Sequence, residues 1–334
     1  MRKTCFLFAA LLLPSSLLHA GWHESQGEAM GTSIRMEFYL PDTGAQESQQ
    51  AQQLINGVMQ EMHRIDAAFS PYKQDSELSR LNQQAPQGWV SVSNEMYLLL
   101  ERSAAISRMT QGAFDVTYAS VGRFYDYRKR VAPDDDTIDA AVQAIDYRHV
   151  ELRRTDQGGE VRFAHPRVYV DLGGIAKGYA VDRAASWLAE QGVSQSSVSA
   201  GGDSRITGDR RGEPWTVGVK HPRVEGQMSA VLPLENTAVS TSGDYERFFE
   251  ADGQRFHHIL DPSTGRSADG AWSVTVLGPE AMFTDALSTS VFVLGPERGL
   301  ALIDQFPGVD AIIINAQGKL LFSSDLAELQ PPSP

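Results

Sequence analysis

The chain has 334 residues, of which 42% are hydrophobic and 21% charged, and its formal net charge at pH 7 is −13. This length and composition predict a globular protein with a large buried core, and the negative charge disfavours nonspecific binding to nucleic acid or to anionic lipid headgroups. Cys5 is the only cysteine, which excludes an intrachain disulfide and a metal site built from several cysteines.

The first 20 residues have the layout of a secretory signal peptide. Arg2 and Lys3 precede an apolar run from Cys5 to Leu13, which is too short to span a bilayer, and Ala20 ends the segment. We therefore expect cleavage near Ala20 and a periplasmic mature protein of net charge −15, because the segment contains two basic residues and no acidic one. Cys5 lies within the apolar run, so a lipid anchor is not expected, and no later segment is predicted to insert stably into a membrane.

The hydrophobic periodicity of the first half predicts helices and strands in alternation. In chain order the predicted elements are a strand at Ile34–Leu40, a helix at Leu54–Phe69, a polar loop at Phe69–Asn82, a helix at Glu95–Arg108, a helix at Ile138–Ile145, and a hairpin of Val150–Arg154 with Glu160–Ala164.

The next stretch changes from strand-like to helix-like patterning at a Gly-Gly pair. A β-branched and aromatic run, Arg167–Leu172, precedes Gly173 and Gly174, and apolar residues recur at helical spacing from Ala176 onward. Glycines allow close approach of the backbone, and a helix start offers free N–H groups to an anion such as phosphate. The stretch matches neither G-x-x-x-x-G-K-[ST] nor G-x-G-x-x-G, and a plain connecting turn is the alternative interpretation.

The remainder of the chain is predicted to contain mostly strands, with one helix at Thr284–Val293 and a disordered tail at residues 329–334. The predicted strands are Ser197–Ala200, Trp215–Lys220, Ser229–Leu234, Ala238–Thr241, Arg255–Leu260, Ser273–Leu277, Ala311–Asn315 and Leu320–Ser323.

Asp285 and Thr289 are candidate metal ligands. They are four residues apart in a predicted helix, so they share one face as hard oxygen donors, which suits Mg²⁺. The alternative is that Thr284 or Asp285 only caps this helix.

His257 and His258 lie at the end of a predicted strand, where successive side chains face opposite ways, so at most one can point into a given pocket. A zinc site would need further ligands at recognisable spacing, and the sequence has none. A hydrogen-bonded structural histidine is the alternative for either residue.

Eight short motifs follow one another in a fixed order over nearly all of the chain after residue 20. They are Ala29–Thr32, Ser70–Tyr72 with Asp75–Asn82, Gly112–Thr117, Asp171–Asp182, Ala200–Asp203, Ser240–Tyr245, His258–Pro262 and Asp285–Thr289. Together they resemble the motif set of the ApbE family, whose members are FAD:protein FMN transferases. The resemblance implies an α/β (α+β) fold, with residues 21–328 forming a single large domain of the tandem T-fold type, and it implies Mg²⁺ and the substrate FAD.

The resemblance also implies roles for individual residues by their position in these motifs. The implied metal ligands are the carbonyl of Gly174, the carboxylate of Asp285 and the hydroxyl of Thr289. The implied FAD contacts are Met30, Tyr72, Ala113, Phe114, Asp115, Asp171, Lys177, His258 and Ser288. Lys177 would supply the local positive charge that a phosphate-binding site needs in so acidic a chain.

The implied reaction is the Mg²⁺-dependent transfer of the FMN moiety of FAD to a Thr or Ser hydroxyl of a target protein, with release of AMP. His258 is the candidate for the catalytic group that accepts the hydroxyl proton. The implied acceptor is a flavoprotein subunit of a membrane redox complex. Two alternatives are a Mg²⁺-dependent FAD pyrophosphatase and a periplasmic flavin-binding protein without turnover.

Overall fold

An eight-stranded antiparallel sheet is the centre of the fold in the computed structural model, which describes residues 21–41, 45–156 and 158–328. Strands are numbered in chain order. In spatial order the sheet consists of β1 (Trp22–Ala29), β2 (Thr32–Tyr39), β6 (Ser196–Ala200), β7 (Asp203–Thr207), β10 (Ala238–Gly243), β15 (Ala271–Gly278), β16 (Asp310–Asn315) and β17 (Leu320–Phe322).

The remaining strands form four smaller antiparallel sheets. These are β3 (Val90–Val92) with β5 (Gly158–Phe163) and β4 (Val150–Thr155), β8 (Trp215–Lys220) with β9 (Met228–Leu234), β11 (Phe248–Ala251) with β12 (Gln254–His257), and β13 (Leu260–Asp261) with β14 (Arg266–Ser267).

Helix α6 packs against both α1 and α7, and all three helices pack against strands of the large sheet. In chain order the described helices are α1 (Ala45–Phe69), α2 (Glu77–Gln84), α3 (Asn94–Met109), α4 (Ala119–Gly122), α5 (Asp135–Val142), α6 (Ala176–Glu190), α7 (Ala281–Ile303) and α8 (Ser324–Glu328), with 3₁₀ turns at Val116–Tyr118 and Tyr147–His149. The expectation of a mixed α/β protein is confirmed.

Most elements predicted from periodicity are present, and most of them bury the stripe of apolar residues that revealed them. In β2 the side chains of Ile34, Met36 and Phe38 are buried, and they alternate with more exposed polar ones. In α1 the fully buried residues Val58, Met62 and Ile65 recur at helical spacing. The predicted strands on either side of residue 157 form the hairpin of β4 and β5.

The predicted strand at Arg167–Leu172 is wrong. This segment is extended and buries Val168, Val170 and Leu172, but it pairs with no strand. The side-chain amide of Asn82 takes the place of a neighbouring strand: its Nδ2 donates to the Val170 carbonyl and its Oδ1 accepts from the Val170 N–H, both at 2.8 Å. The side chain of Asn82, 88 residues away in sequence, therefore makes the hydrogen bonds to the Val170 backbone that a neighbouring strand would make in a sheet.

Two further predictions need correction. The polar segment Phe69–Asn82 is not only loop, because α2 begins within it and the Ser76 hydroxyl caps the helix by accepting from the Ser79 N–H at 2.9 Å. The predicted strand Arg255–Leu260 is divided into β12 and β13, and His258 lies between them. Strands β1, β3, β7, β11 and β14 were not predicted.

Helix α7 is longer than predicted and is not capped by Thr284 or Asp285. Both residues lie inside the helix and are buried, and the first N–H groups, of Ala281 and Met282, donate instead to the carboxylate of Asp182 at 2.9 and 2.8 Å. The capping alternative for Asp285 is therefore wrong, and this residue is free for another role.

By length and composition α7 could cross a membrane, contrary to the sequence expectation, with a mean hydropathy of 1.2 over its most apolar 18 residues. In the fold it packs against α6, β10 and β15. The backbone angles of Gly295, just before Pro296, are not helical, so the helix is kinked there. Its apolar character is that of a helix in the protein core. The predicted signal peptide at residues 1–20 and the predicted tail at 329–334 lie outside the described residues.

Asn82→Leu is expected to lower the free energy of unfolding by about 2–4 kcal/mol, because it leaves the buried N–H and carbonyl of Val170 without partners. Urea unfolding of the variant measures this loss. Gln83→Ala, at the next and exposed position of α2, should change stability by less than about 0.5 kcal/mol. Equal stability of the two variants would show that Asn82 does not hold this segment.

Candidate functional site

The glycine turn before α6 allows α6, α7 and the Phe114 segment to come close together. A side chain at Gly174 would lie 3.2 Å from Cε2 of Phe114 and 3.6 Å from Oγ1 of Thr289. A side chain at Gly178, in the first turn of α6, would overlap the carbonyl oxygen of Ala281 at the start of α7. The turn is therefore more than a connection, because its lack of Cβ atoms brings three segments to one cleft.

Lys177 lies between two buried carboxylates in this cleft. Its Nζ is 2.5 Å from Oδ2 of Asp203 and 3.3 Å from each carboxylate oxygen of Asp285. The side chains of Asp203 and Asp285 are only 2% and 4% exposed, and the N–H of Gly178 also donates to Asp285, at 3.0 Å. With both carboxylates ionised, this group of three charges has a net charge of −1, so Lys177 has no uncompensated charge to offer a phosphate.

Burial and the neighbouring Asp203 raise the pKa of Asp285 to about 7, although Lys177 and the Gly178 N–H favour the ionised form. Burial lowers the pKa of Lys177, but the two carboxylates raise it by more, so Lys177 stays protonated. A bound cation would therefore stabilise the ionised form of Asp285, because the cation would take the place of the proton on its carboxyl group.

Hydroxyl groups line the cleft beside Asp285. The Oγ of Ser288 donates to the Asp285 carbonyl at 2.9 Å and lies 2.8 Å from the Oγ of Ser242 on β10. The Oγ of Ser242 is also 3.3 Å from the Thr289 Oγ1. Asp285, Ser288 and Thr289 therefore present oxygen atoms within one turn of α7.

The donor set at this position fits Mg²⁺. Within the described residues no cluster of three or more His, Cys, Asp or Glu side chains could hold a metal. Asp285, Thr289 and the backbone at Gly174 instead offer a carboxylate, a hydroxyl and a carbonyl, all hard oxygen donors, and Mg²⁺ completes such a set with water and substrate phosphate. The absence of nitrogen and sulfur donors is unfavourable for zinc.

His257 has a structural environment. Its Nε2 is 2.7 Å from the carbonyl oxygen of Ala268, and its ring packs edge-on against Phe292, with ring centroids 5.6 Å apart. This buried, hydrogen-bonded ring is held in the core by packing, which agrees with the alternative interpretation of His257 as a structural histidine.

His258 follows the last residue of β12 and belongs to the cleft. Its Nδ1 is buried and has no hydrogen-bond partner among the described residues. Burial and the positive charges of Arg247 and Lys177 lower the pKa of His258 to about 3. The imidazole is therefore neutral at physiological pH and has a free lone pair, but its lowered pKa makes it a weaker base than an ordinary imidazole. Asp261 does not contact this ring, because its Oδ1 accepts from the N–H and hydroxyl of Ser263 in the following turn.

Asp171 and Asp115 differ in what they leave available to a ligand. Asp171 accepts a hydrogen bond from the Gly173 N–H at 2.7 Å; burial raises the pKa of its carboxyl group, although the bonds from Gly173 and from the Tyr118 side chain favour the ionised form. Both carboxylate oxygens of Asp115 accept bonds inside the chain, from the N–H and hydroxyl of Thr117 and from the N–H of Tyr147. An FAD contact at Asp115 would therefore use its backbone.

The other candidate FAD contacts lie around the cleft or beneath it. Tyr72 is 83% exposed and lies within reach of the charges of Asp171 and Arg247. Met30 has a φ of 55° in the tight turn between β1 and β2. Ala113, like Phe114, is buried, so its contact with a ligand would also depend on the backbone.

Three residues of the cleft had no predicted role. Asp203 and Ser242 lie in two of the recognised motifs, but only the fold brings them to Lys177 and Thr289. Arg247 follows a recognised motif by two residues and acts electrostatically on His258. The sequence contains the motifs in or near which these residues lie. Which side chains they contact depends on the order of the strands in the folded sheet.

The fold and this cleft define the class of protein. The structure superposes on an ApbE protein from Thermotoga maritima with a TM-score of 0.82 and 34% identity, covering 93% of this chain and 99% of that one. It also superposes on the flavin transferase ApbE from Vibrio cholerae with a TM-score of 0.79 and 30% identity, covering 92% and 98% of the two chains. The molecule therefore has the fold of the flavin transferases.

The sequence comparisons agree with this class. The sequence model of the ApbE family matches residues 30–313, and the chain belongs to this family. A curated relative from Vibrio cholerae, named FAD:protein FMN transferase, is 32% identical over 317 residues, which cover 91% of each chain. A relative of the same name from Treponema pallidum is 32% identical over 315 residues, covering 90% of this chain and 86% of the relative.

Asp285→Asn is expected to stabilise the metal-free protein. Because the pKa of Asp285 is raised in the folded state, the folded protein binds the additional proton between about pH 4 and 7, and stability falls as pH rises through this range. The neutral amide avoids this loss, so the variant should gain on the order of 3 kcal/mol over the wild type above pH 7 and little below pH 4.

Urea unfolding at several pH values in a chelating buffer measures this difference. Asp139→Asn, at an exposed position of α5, provides the control and should show no such pH-dependent gain. An Asp285→Asn variant that is less stable than the wild type at pH 8 would contradict the electrostatic account.

Proposed function

We propose that this chain is a Mg²⁺-dependent FAD:protein FMN transferase that attaches FMN to a Thr or Ser hydroxyl of an exported acceptor protein and releases AMP. The observation that supports the proposal is the close approach of Gly174 to Thr289, beside Asp285, in a flavin transferase fold in which the neutral His258 lies within electrostatic range of Lys177. The names of the relatives support the same activity.

In the proposed reaction the acceptor oxygen forms a bond to the phosphorus of the FMN half of FAD. The bond between that phosphorus and the bridging oxygen of the diphosphate breaks, and AMP leaves with the bonding electron pair. The hydroxyl proton passes to the neutral imidazole of His258. The product is a phosphoester, and no oxidant or reductant is required.

Asp285, Thr289 and the Gly174 carbonyl would hold Mg²⁺, which would neutralise charge on the diphosphate and stabilise the departing AMP. Lys177 keeps Asp285 in place and favours its ionised form. The Asp171 carboxylate accepts hydrogen bonds from the Gly173 N–H and from Tyr118, and it would accept a further bond from the ribityl chain or the flavin ring. Ser288 and Ser242 hold the Thr289 side of the cleft through their hydroxyl contacts.

The exported location and the acceptor are part of the proposal. The signal-like segment at residues 1–20 supports export to the periplasm. A flavoprotein subunit of a membrane redox complex is an acceptor of suitable kind, because covalent attachment prevents loss of the flavin by diffusion. A docked hydroxyl can outcompete water, since effective molarities of well-oriented groups reach about 10⁵ M or more, against roughly 55 M for water.

Incubation of the protein lacking residues 1–20 with FAD, Mg²⁺ and an acceptor domain should add the mass of FMN to one Thr or Ser and release an equal amount of AMP. Mass spectrometry and AMP chromatography measure the two products, and excess chelator should stop both. AMP formation at the same rate without any acceptor would favour the FAD pyrophosphatase, and FAD binding without AMP would favour a flavin carrier.

His258→Ala is expected to retain FAD binding and to lower the transfer rate by about 10²–10⁴-fold, because a positioned proton acceptor is removed. His257→Ala is the matched control: it removes a structural ring from the opposite side and should lower the melting temperature more than the rate per folded molecule. Because the pKa of His258 is about 3, the wild-type rate should show no loss attributable to this residue between pH 8 and 6. A larger rate loss for His257→Ala would reverse the two assignments.

A further inference from the structure

Arg247 is an exposed cation at the cleft whose guanidinium has no ion-pair partner within the described part of the chain. Three other cations near it are already paired with carboxylates. These pairs are Lys177 with Asp203 and Asp285, Arg223 with Asp244, and Arg255 with Asp244 and Glu250. Arg247 is therefore a positive charge at this site that remains available to an incoming anion.

The hairpin of β11 and β12 fixes the direction of Arg247. Phe248 is paired with His257, and the next pair outward is Arg247 with His258, joined by the His258 N–H donating to the Arg247 carbonyl at 3.2 Å. Directly opposite residues of an antiparallel pair project to the same side. Arg247 therefore lies on the side of His258, and the structural ring of His257 lies on the other.

A second contact places the guanidinium at the rim of the cleft. The Nη2 of Arg247 is 3.8 Å from the position that a Cβ at Gly31 would take, so the side chain reaches the tight turn between β1 and β2. That turn contains Met30, one of the candidate FAD contacts. The positive charge also acts on His258 and on Asp171, on two sides of the same opening.

The charges of the cleft require such a cation. A diphosphate brings about two negative charges to a site where Lys177, Asp203 and Asp285 already sum to −1 when ionised. One Mg²⁺ offsets only part of this total. A guanidinium can donate two parallel hydrogen bonds to phosphate oxygens, and such charge-assisted bonds are roughly twice as strong as neutral ones.

We propose that Arg247 binds the diphosphate of FAD and thereby makes the site select flavin dinucleotide over riboflavin. This inference rests on the proposed function, because it takes FAD as the substrate. It adds a specificity-determining residue outside the predicted metal and FAD ligands. Gly31 leaves room for the guanidinium beside the turn, and the pairing of Arg247 with His258 keeps the diphosphate next to the proton acceptor.

Calorimetric titration of FAD and of riboflavin, with Mg²⁺ and without acceptor protein, tests the proposal. Arg247→Gln should weaken FAD binding by about 10–100-fold and riboflavin binding by less than about 2-fold. Arg247→Lys should recover part of the FAD affinity, because a lysine keeps the charge but lacks the planar fork.

Arg255→Gln is the matched control, since it removes the same charge from the same hairpin but from an arginine that is already paired. Per folded molecule, as judged by thermal unfolding, it should leave both affinities within about 2-fold of the wild type. The proposal is overturned if Arg247→Gln leaves FAD binding unchanged, or if it weakens FAD and riboflavin equally. A wild-type protein that binds neither flavin would refute the proposed function itself, before any variant is compared.

Discussion

The buried contact of Lys177 with Asp203 and Asp285 is the interaction on which the site depends. It joins the first turn of α6 to the start of β7 and to the second turn of α7, which are distant in sequence. Removal of Lys177 would leave two buried carboxylates without a counter-charge, and this typically costs more than an apolar replacement of the whole group. The elements that carry the proposed metal ligands are therefore held in one arrangement by Lys177.

When ionised, the group of Lys177, Asp203 and Asp285 has an excess negative charge, and formation of a substrate complex can neutralise it. The metal-free protein keeps Asp285 partly protonated because burial and Asp203 oppose its ionisation. A cation at the hydroxyl-lined face of α7 would remove that opposition, and an anionic diphosphate would then bind a site that no longer repels it. Stability and function are opposed at this residue, as is common where a site is built before its ligand arrives.

Glycines around the site allow neighbouring elements to approach one another closely. Gly178 lets α6 and α7 cross without a side chain between them, and Gly174 admits both Phe114 and Thr289. Asn82 holds the segment before the glycine turn without a neighbouring strand. The turn is thus fixed on both sides, which gives the carbonyl of Gly174 and the carboxylate of Asp171 defined positions.

The sequence by itself determined the elements whose own residues carry the signal. The apolar stripes of α1 and α3 and the alternation in β2 follow from local periodicity, and the ordered motifs were sufficient for the family. Only the tertiary structure decided that Arg167–Leu172 is not a strand, that Asp285 lies inside α7 rather than at its cap, and that Lys177 is already neutralised. The reason is physical: hydrogen bonds from Asn82, the cap supplied by Asp182 and the charge of Asp203 all come from residues far away in sequence, which meet only when the chain is folded.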